Sequence, residues 1–269
     1  MRVPFVKMHG LGNDFVILDM RQGLALPLDR ELCAAIADRH RGIGCDQLIV
    51  LERSDVADLR MRIFNPDGLE ATACGNASRA VGLLEGSDVT IETAGGIVKA
   101  QLSGDGIRVD MGVPRFSWEE IPLAYPLDTE RMPVAWGELT SPAAVNVGNP
   151  HIVFIVDDSD AVPLEALGPV IEQDSLFPDR VNVNCAQVVG TDALKLRVWE
   201  RGAGLTRACG TGACASAVIA IRRRLVRSPV RVALPGGEMV IAWDGAGPIT
   251  MTGPAAESFR GSFRLEDFT

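Results

Sequence analysis

Two short stretches carry the residue types best suited to chemistry, and they are versions of one another. The first reads Ala73-Cys74-Gly75-Asn76-Ala77-Ser78-Arg79-Ala80-Val81, the second Ala208-Cys209-Gly210-Thr211-Gly212-Ala213-Cys214-Ala215-Ser216-Ala217-Val218. Each sets a cysteine and a glycine where a polar loop gives way to a small, apolar run of helical period. A helix N-terminus offers unpaired backbone N–H groups and the positive end of the dipole. A thiol placed there is expected to titrate below its free value of about 8.5, and the neighbouring glycine lets a ligand approach the backbone.

Cys74 and Cys209 stand 135 positions apart in a chain of 269, and other landmarks recur near that offset. Gly12-Asn13 meets Gly148-Asn149 at 136, Gln47 meets Asn182 at 135, and Phe64-Asn65 meets Glu200-Arg201 at 136. The recurrence in constant order reads as an internal duplication. Two such lobes related by a pseudo-two-fold would bring the cysteine-bearing helix tips face to face across a cleft. Opposed acid/base groups on either side of a carbon can remove a proton from one face and return one to the other. The helix dipoles would bind a carboxylate and stabilise the developing carbanion. Inversion of a stereocentre needs no cofactor on this reading.

The elements that must position these groups follow from patterning. Strands are expected at Val3–His9, Phe15–Asp19, Leu48–Glu52 and Leu59–Phe64, with an amphipathic helix from Asp29 to Arg39 capped by Asp29. The Cys74 helix runs to about Leu84, and short strands follow at Val89–Glu92, Gly96–Leu102 and Ile107–Met111. The Pro- and Trp-rich stretch 114–142 lacks periodicity. The plan then repeats: strands Ala144–Val147 and His151–Val156, a helix Leu164–Gln173, and strands Val181–Val189 and Leu194–Glu200. After the Cys209 helix come strands Val230–Leu234, Glu238–Trp243 and Ile249–Thr252. Ser262–Phe268 reads as a strand returning to either lobe. Without alternating β–α–β units the class is α+β: two pseudo-symmetric lobes, each a curled, mostly antiparallel, barrel-like sheet around a central helix. The expected domains are 1–117 with a C-terminal strand of about 259–269, carrying Cys74, and 118–258, carrying Cys209.

Composition bounds the partners. A net charge of −9 argues against a nucleic-acid partner, which needs clustered Lys and Arg. No apolar run reaches the roughly 18 residues of a membrane span, and no basic-then-apolar leader opens the sequence. Cytoplasmic residence is the expectation. Six cysteines without paired spacing fit free thiols, and the absence of Cys-x-x-Cys with only three scattered histidines argues against a structural zinc site, so no metal is expected. Cys33, Cys45, Cys185 and Cys214 read as small core groups. Asn13, Asn65, Asn149 and Asn182 could be turn residues, but their matching offsets favour substrate-facing roles. Glu200-Arg201 could be a solvated strand end, or a grip on an ammonium and a carboxylate. His151 reads equally as a group orienting the site or as a satisfied core histidine.

These stretches resemble the diaminopimelate epimerase family. The resemblance is carried by His9-Gly10-Leu11-Gly12-Asn13-Asp14-Phe15, Asn65-Pro66-Asp67-Gly68, Ala73-Cys74-Gly75-Asn76, Gly148-Asn149-Pro150-His151, Glu200-Arg201-Gly202 and Ala208-Cys209-Gly210-Thr211-Gly212-Ala213. It implies cofactor-independent interconversion of LL- and meso-diaminopimelate in lysine and peptidoglycan synthesis, in a homodimer, with Cys74 and Cys209 as the acid/base pair. It further implies substrate contacts from Asn13, Gln47, Asn65, Asn149, Asn182, Glu200 and Arg201. The reacting α-carboxylate would be held by Gly75, Asn76, Gly210 and Thr211.

Three other readings compete. A racemase of a shorter amino acid would leave Asn182, Glu200 and Arg201 unpaired. A cysteine hydrolase or transferase would need one thiol, not two. A non-catalytic amino-acid-binding protein would leave both helix-tip thiols without a purpose.

Overall fold

The computed structural model describes residues 1–72 and 74–268. Two compact units divide the chain, Met1–Val109 with Gly253–Thr269 and Asp110–Thr252.

In the first unit the strands are β1 (Arg2–Gly10), β2 (Asn13–Asp19), β3 (Gln47–Glu52), β4 (Leu59–Phe64), β5 (Glu70–Ala71), β6 (Val89–Thr93), β7 (Gly96–Ser103) and β8 (Gly106–Asp110), with helices α1 (Arg30–Ala37) and α2 (Gly75–Glu85). β1 and β2 pair antiparallel, β2 and β3 parallel, β3 and β4 antiparallel. β4 carries the short β5 and runs parallel to β6, which continues antiparallel through β7 to β8. A C-terminal strand, Ala256–Arg264, closes the other edge antiparallel to β1. The returning strand thus begins earlier than the sequence pattern marks it and belongs to the first unit. Its exposed, unpatterned residues hide it from periodicity.

The helix α2 touches β1 and the C-terminal strand at one end of this sheet, and β6 and β7 at the other. The sheet is therefore curled around it. A helix enclosed by its sheet is mostly small or apolar, and α2 buries every residue from Asn76 to Gly82, its two large polar members Asn76 and Arg79 hydrogen-bonded to one another. Close approach demands the glycine: a Cβ on Gly82 would stand 2.9 Å from the Ala100 Cβ and 3.0 Å from the Ile107 Cγ2. On the opposite face α1 lays Leu32, Cys33 and Ile36 over Val16, Leu18, Leu48 and Val50. Asp29 caps α1 by accepting from the Leu32 N–H at 2.8 Å, as its sequence position predicts.

The second unit has a small hairpin, β9 (Ala135–Trp136) with β10 (Leu139–Thr140), in the stretch that shows no periodicity in the sequence. Its main sheet comprises β11 (Ala143–Asn146), β12 (Pro150–Val156), β13 (Asn182–Gly190), β14 (Ala193–Glu200), β15 (Gly204–Thr206), β16 (Val230–Leu234), β17 (Gly237–Ala242) and β18 (Thr250–Gly253). The helices are α3 (Leu164–Glu172) and α4 (Gly210–Arg222). The pairing sequence is that of the first unit, step for step. β11/β12 is antiparallel, β12/β13 parallel, β13/β14 antiparallel with β15 appended, β14/β16 parallel, and β16/β17 and β17/β18 antiparallel. The helix α4 touches β11 through β14, β16 and β17 and is buried from Gly212 to Ala220. Its sheet is likewise curled around it, while α3 covers the outer face with Leu164 and Ile171 against Phe154 and Val183. The fold is α+β, and the repeated pairing order is the structural counterpart of the offsets in the sequence. Residues 111–115 bond within the second unit: Met111 and Gly112 exchange backbone bonds with Ile249, and Arg115 with Asn146.

Candidate active site

The repeat determines where the polar landmarks fall. Because β2 and β3 run parallel and β4 returns against β3, the start of β2, the start of β3 and the end of β4 share one edge of the first sheet. Asn13, Gln47 and Asn65 occupy those three places. The second unit puts Asn149, Asn182 and Glu200-Arg201 at the corresponding ends of β12, β13 and β14.

At the first tip Cys74 is the N-cap of α2, in extended conformation, and its Sγ accepts the Ala77 N–H at 3.4 Å. The thiol lies 4.0 Å from Asn13 Oδ1, which also accepts from Asn76 Nδ2 at 3.1 Å. Two single-role groups fix these amides. Asp46 Oδ2 accepts from Asn13 Nδ2 at 3.0 Å, and Arg79, fully buried, donates to Asn76 Oδ1 at 2.8 Å. Gln47 Nε2 donates to Asn65 Oδ1 at 3.2 Å, leaving Gln47 Oε1 buried without a partner among the described residues.

At the second tip Cys209 is the N-cap of α4, and its Sγ accepts the Gly212 N–H at 3.3 Å. The Thr211 Oγ1 lies 3.5 Å from the same sulfur. Gly210 and Thr211 supply the first N–H groups of the helix, ahead of those taken by the cap. Glu200 Oε1 accepts from Thr206 Oγ1 at 2.5 Å. Asn182 Oδ1 accepts the Arg201 N–H at 2.9 Å while its Nδ2 donates to Pro150 O at 2.9 Å. The exposed Arg201 guanidinium donates to Asp179 O at 2.8 Å. His151 lies inside this network, Nε2 at 2.9 Å from Asn149 Oδ1, and burial holds its pKa down to about 3.

One expectation is corrected. A helix-tip thiol should titrate low, yet Cys209 is raised well above its ordinary value. Its residue is only 2% exposed, and removing a thiolate from water outweighs the dipole; the Glu200 carboxylate raises it further, opposed by Thr211 and the Gly212 N–H. Cys74, by contrast, is half-buried. The remaining cysteines behave as core thiols: burial pushes Cys33 and Cys45 up to about 11 and Cys185 to about 12, and Cys214 is buried within α4.

Three groups of the network escape sequence reading: Asp46, Arg79 and Asn184. The last two have a signal in retrospect. Arg79 is the single charge in a run of small residues, and Asn184 follows Asn182 by two within an apolar strand, which puts both amides on one face.

A family model described as diaminopimelate epimerase matches residues 5–117 and 143–257, most of the chain. The chain belongs to the diaminopimelate epimerase family. A protein named diaminopimelate epimerase from Erythrobacter litoralis is 62% identical over 269 residues, covering all of both chains. Another so named, from Rhizorhabdus wittichii, is 56% identical across 100% of this chain and 98% of its own. Solved structures extend the fold beyond this family. A hydroxyproline epimerase from Agrobacterium vitis superposes with a TM-score of 0.70 at 18% identity, covering 97% of this chain and 91% of its own. A phenazine biosynthesis protein of the PhzF family from Bacillus anthracis gives 0.70 at 16%, covering 98% and 99%. At such identities these two establish the shared fold alone.

Proposed function

We propose that this chain is an isomerase that epimerises LL-2,6-diaminopimelate to meso-diaminopimelate, with Cys74 and Cys209 as the acid/base pair and no cofactor. The observation that carries the reading is the repeated construction of the two tips. In each unit a cysteine caps the helix enclosed by the sheet and accepts the N–H three residues on. Membership of the family supports the reaction class and the substrate.

In the proposed step one thiolate takes the α-hydrogen as a proton from one face of the carbon. The other thiol delivers its proton to the opposite face, so the substrate is inverted with atoms and charge unchanged. The protein ends with thiol and thiolate exchanged. Cys209, raised by burial and by Glu200, is a thiol at neutral pH and stands ready as the acid. Gly75, Asn76, Gly210 and Thr211 hold the α-carboxylate at the helix ends, where N–H groups favour negative charge. Asn13, Gln47, Asn65, Asn149, Asn182, Glu200 and Arg201 contact the remaining polar groups, with Arg201, Asn65 and Asn182 reading the distal amino-acid end. His151 supports the site by orienting Asn149. The working form is a homodimer in the cytoplasm.

The test is incubation of LL-diaminopimelate in D₂O with reduced protein, followed by mass spectrometry and stereochemical analysis. Uptake of one deuteron with formation of the meso product, lost in both Cys74→Ala and Cys209→Ala, is expected. Inversion that survives either variant overturns the two-thiol mechanism, and no exchange with this substrate overturns its assignment.

A further inference from the structure

In the second unit three side chains form a directional relay whose polarity is set at one end. Asn184, on β13, is fully buried. One terminal atom of its amide lies 2.9 Å from Ile152 O, 3.3 Å from Asn182 O and 3.1 Å from His151 Nδ1. Two of those neighbours are backbone carbonyls, which only accept, so this atom must be the NH₂ nitrogen. The reversed amide would press an oxygen against two oxygens. An amide NH₂ cannot accept a hydrogen bond, so His151 Nδ1, 3.1 Å away, turns its lone pair and not a proton toward Asn184 Nδ2. A neutral imidazole unprotonated at Nδ1 carries its proton on Nε2.

His151 is itself fully buried, which keeps it neutral. An imidazolium would turn its Nδ1–H toward the Asn184 NH₂, which cannot accept it. The Nε2–H then donates to Asn149 at 2.9 Å, so the Asn149 amide must turn its oxygen inward. Its NH₂ is left to face outward from this half-buried turn, which leads into β12 where His151 pairs with Asn182.

From this geometry we infer that Asn184 is a positioning residue that sets the His151 tautomer and, through it, the polarity of the Asn149 amide. The proposal rests on the reading of Asn149 as a substrate contact. It adds the chemical sense of that contact: Asn149 offers N–H donors, and the substrate group it meets is an acceptor, a carboxylate oxygen, not an ammonium. An asparagine on a free hinge could serve either group by turning over. This one is held to a single sense by a residue two places removed.

The inference is tested in two independent arms. In the ligand-free protein, ¹⁵N-histidine NMR reads the tautomer of His151, assigned by removing the His9 and His40 signals through His9→Gln and His40→Gln. A neutral ring protonated on Nε2 in the wild type, moving to Nδ1 protonation in Asn184→Asp, is expected. A wild-type ring protonated on Nδ1, or on both nitrogens at neutral pH, overturns the relay whether or not any variant folds.

The second arm is kinetic. Losing one substrate hydrogen bond changes affinity by roughly fivefold to tenfold, so Asn184→Ala should raise KM by about that factor with kcat little changed. In an Asn149→Ala background the same substitution should change KM no further, because the amide it orients is gone. An equal KM effect with and without the Asn149 side chain makes Asn184 merely structural and overturns the inference. If Asn149→Ala alone leaves KM unchanged, the substrate contact fails while the tautomer result stands on its own.

Discussion

The amide oxygen of Asn184 lies 2.6 Å from the point where a Cβ on Gly212 would stand. The same methyl would meet Val198 Cγ2 at 3.0 Å and the Cys209 sulfur at 3.2 Å. Gly212 is therefore the position where strand β13, strand β14 and the thiol close on the helix start. Gly212→Ala is expected to cost about 1–3 kcal/mol through overpacking and to push the Cys209 cap away from the Gly212 N–H. Thermal unfolding should fall by several degrees, since about 1 kcal/mol shifts Tm by roughly 2–4 °C in a chain of this size. Combining it with Asn184→Ala removes the shortest contact and should recover part of the loss. A fully stable, fully active single variant would contradict the packing described.

The two helix-tip thiols differ in exposure, and reactivity should follow. Alkylation by iodoacetamide at pH 8, mapped by peptide, is expected first at the half-buried Cys74. Cys209 and the four core cysteines should react far more slowly. The raised pKa of Cys209 has two causes, burial first and the Glu200 carboxylate second. Glu200→Gln removes the second, lowers the thiol pKa and should speed alkylation at Cys209 several-fold at fixed pH. An unchanged or slower rate would exclude Glu200 as a source of the shift.

What could be read from the sequence differs by residue for physical reasons. The cysteine caps were legible because residue type, adjoining glycine and small apolar run all point to a helix start, and because the pattern occurs twice. The ordering Asn13, Gln47, Asn65 against Asn149, Asn182, Glu200-Arg201 was legible as offsets, and the repeated strand pairing explains it. The C-terminal strand was blurred because Glu257 to Arg260 are exposed and do not alternate. The ionisation of Cys209 is not legible, because local sequence carries the helix dipole but not the depth of burial that overrides it. Asn184 and Arg79 act through partners distant in sequence, so their roles appear only once β12 lies beside β13 and α2 beside β1.

The buried His151 links stability to pH. Its pKa falls from about 6.5 to about 3 on folding. Between those values the unfolded chain binds a proton that the native state does not, so stability rises with pH and is lost as pH falls through the window. One proton corresponds to a slope of about 1.4 kcal/mol per pH unit. Urea unfolding at intervals from pH 4 to 7 should show His151→Gln with a shallower dependence than wild type by about that slope. Parallel curves would mean that His151 is protonated in the native state or exposed.

Arg79 should act as the keystone of the first tip. It is fully buried, donates to Asn76 Oδ1 at 2.8 Å and reaches Pro254 O at 3.4 Å. Asn76 in turn donates to Asn13 Oδ1, the atom that stands 4.0 Å from the Cys74 thiol. Hydrogen bonds to a charged group contribute about 1.5–3 kcal/mol each. Arg79→Met removes the charged donor to Asn76 Oδ1 and Pro254 O and should lower stability by at least that much, with an unchanged m-value in urea. It also frees the Asn76 amide to turn, which would put an oxygen toward Asn13 and repel it. Asn76→Ala abolishes that second effect while keeping the arginine. Arg79→Met should therefore reduce kcat/KM in the wild-type background but add little once Asn76 is alanine. Equal reductions in both backgrounds would show that Arg79 supports the fold without orienting the tip.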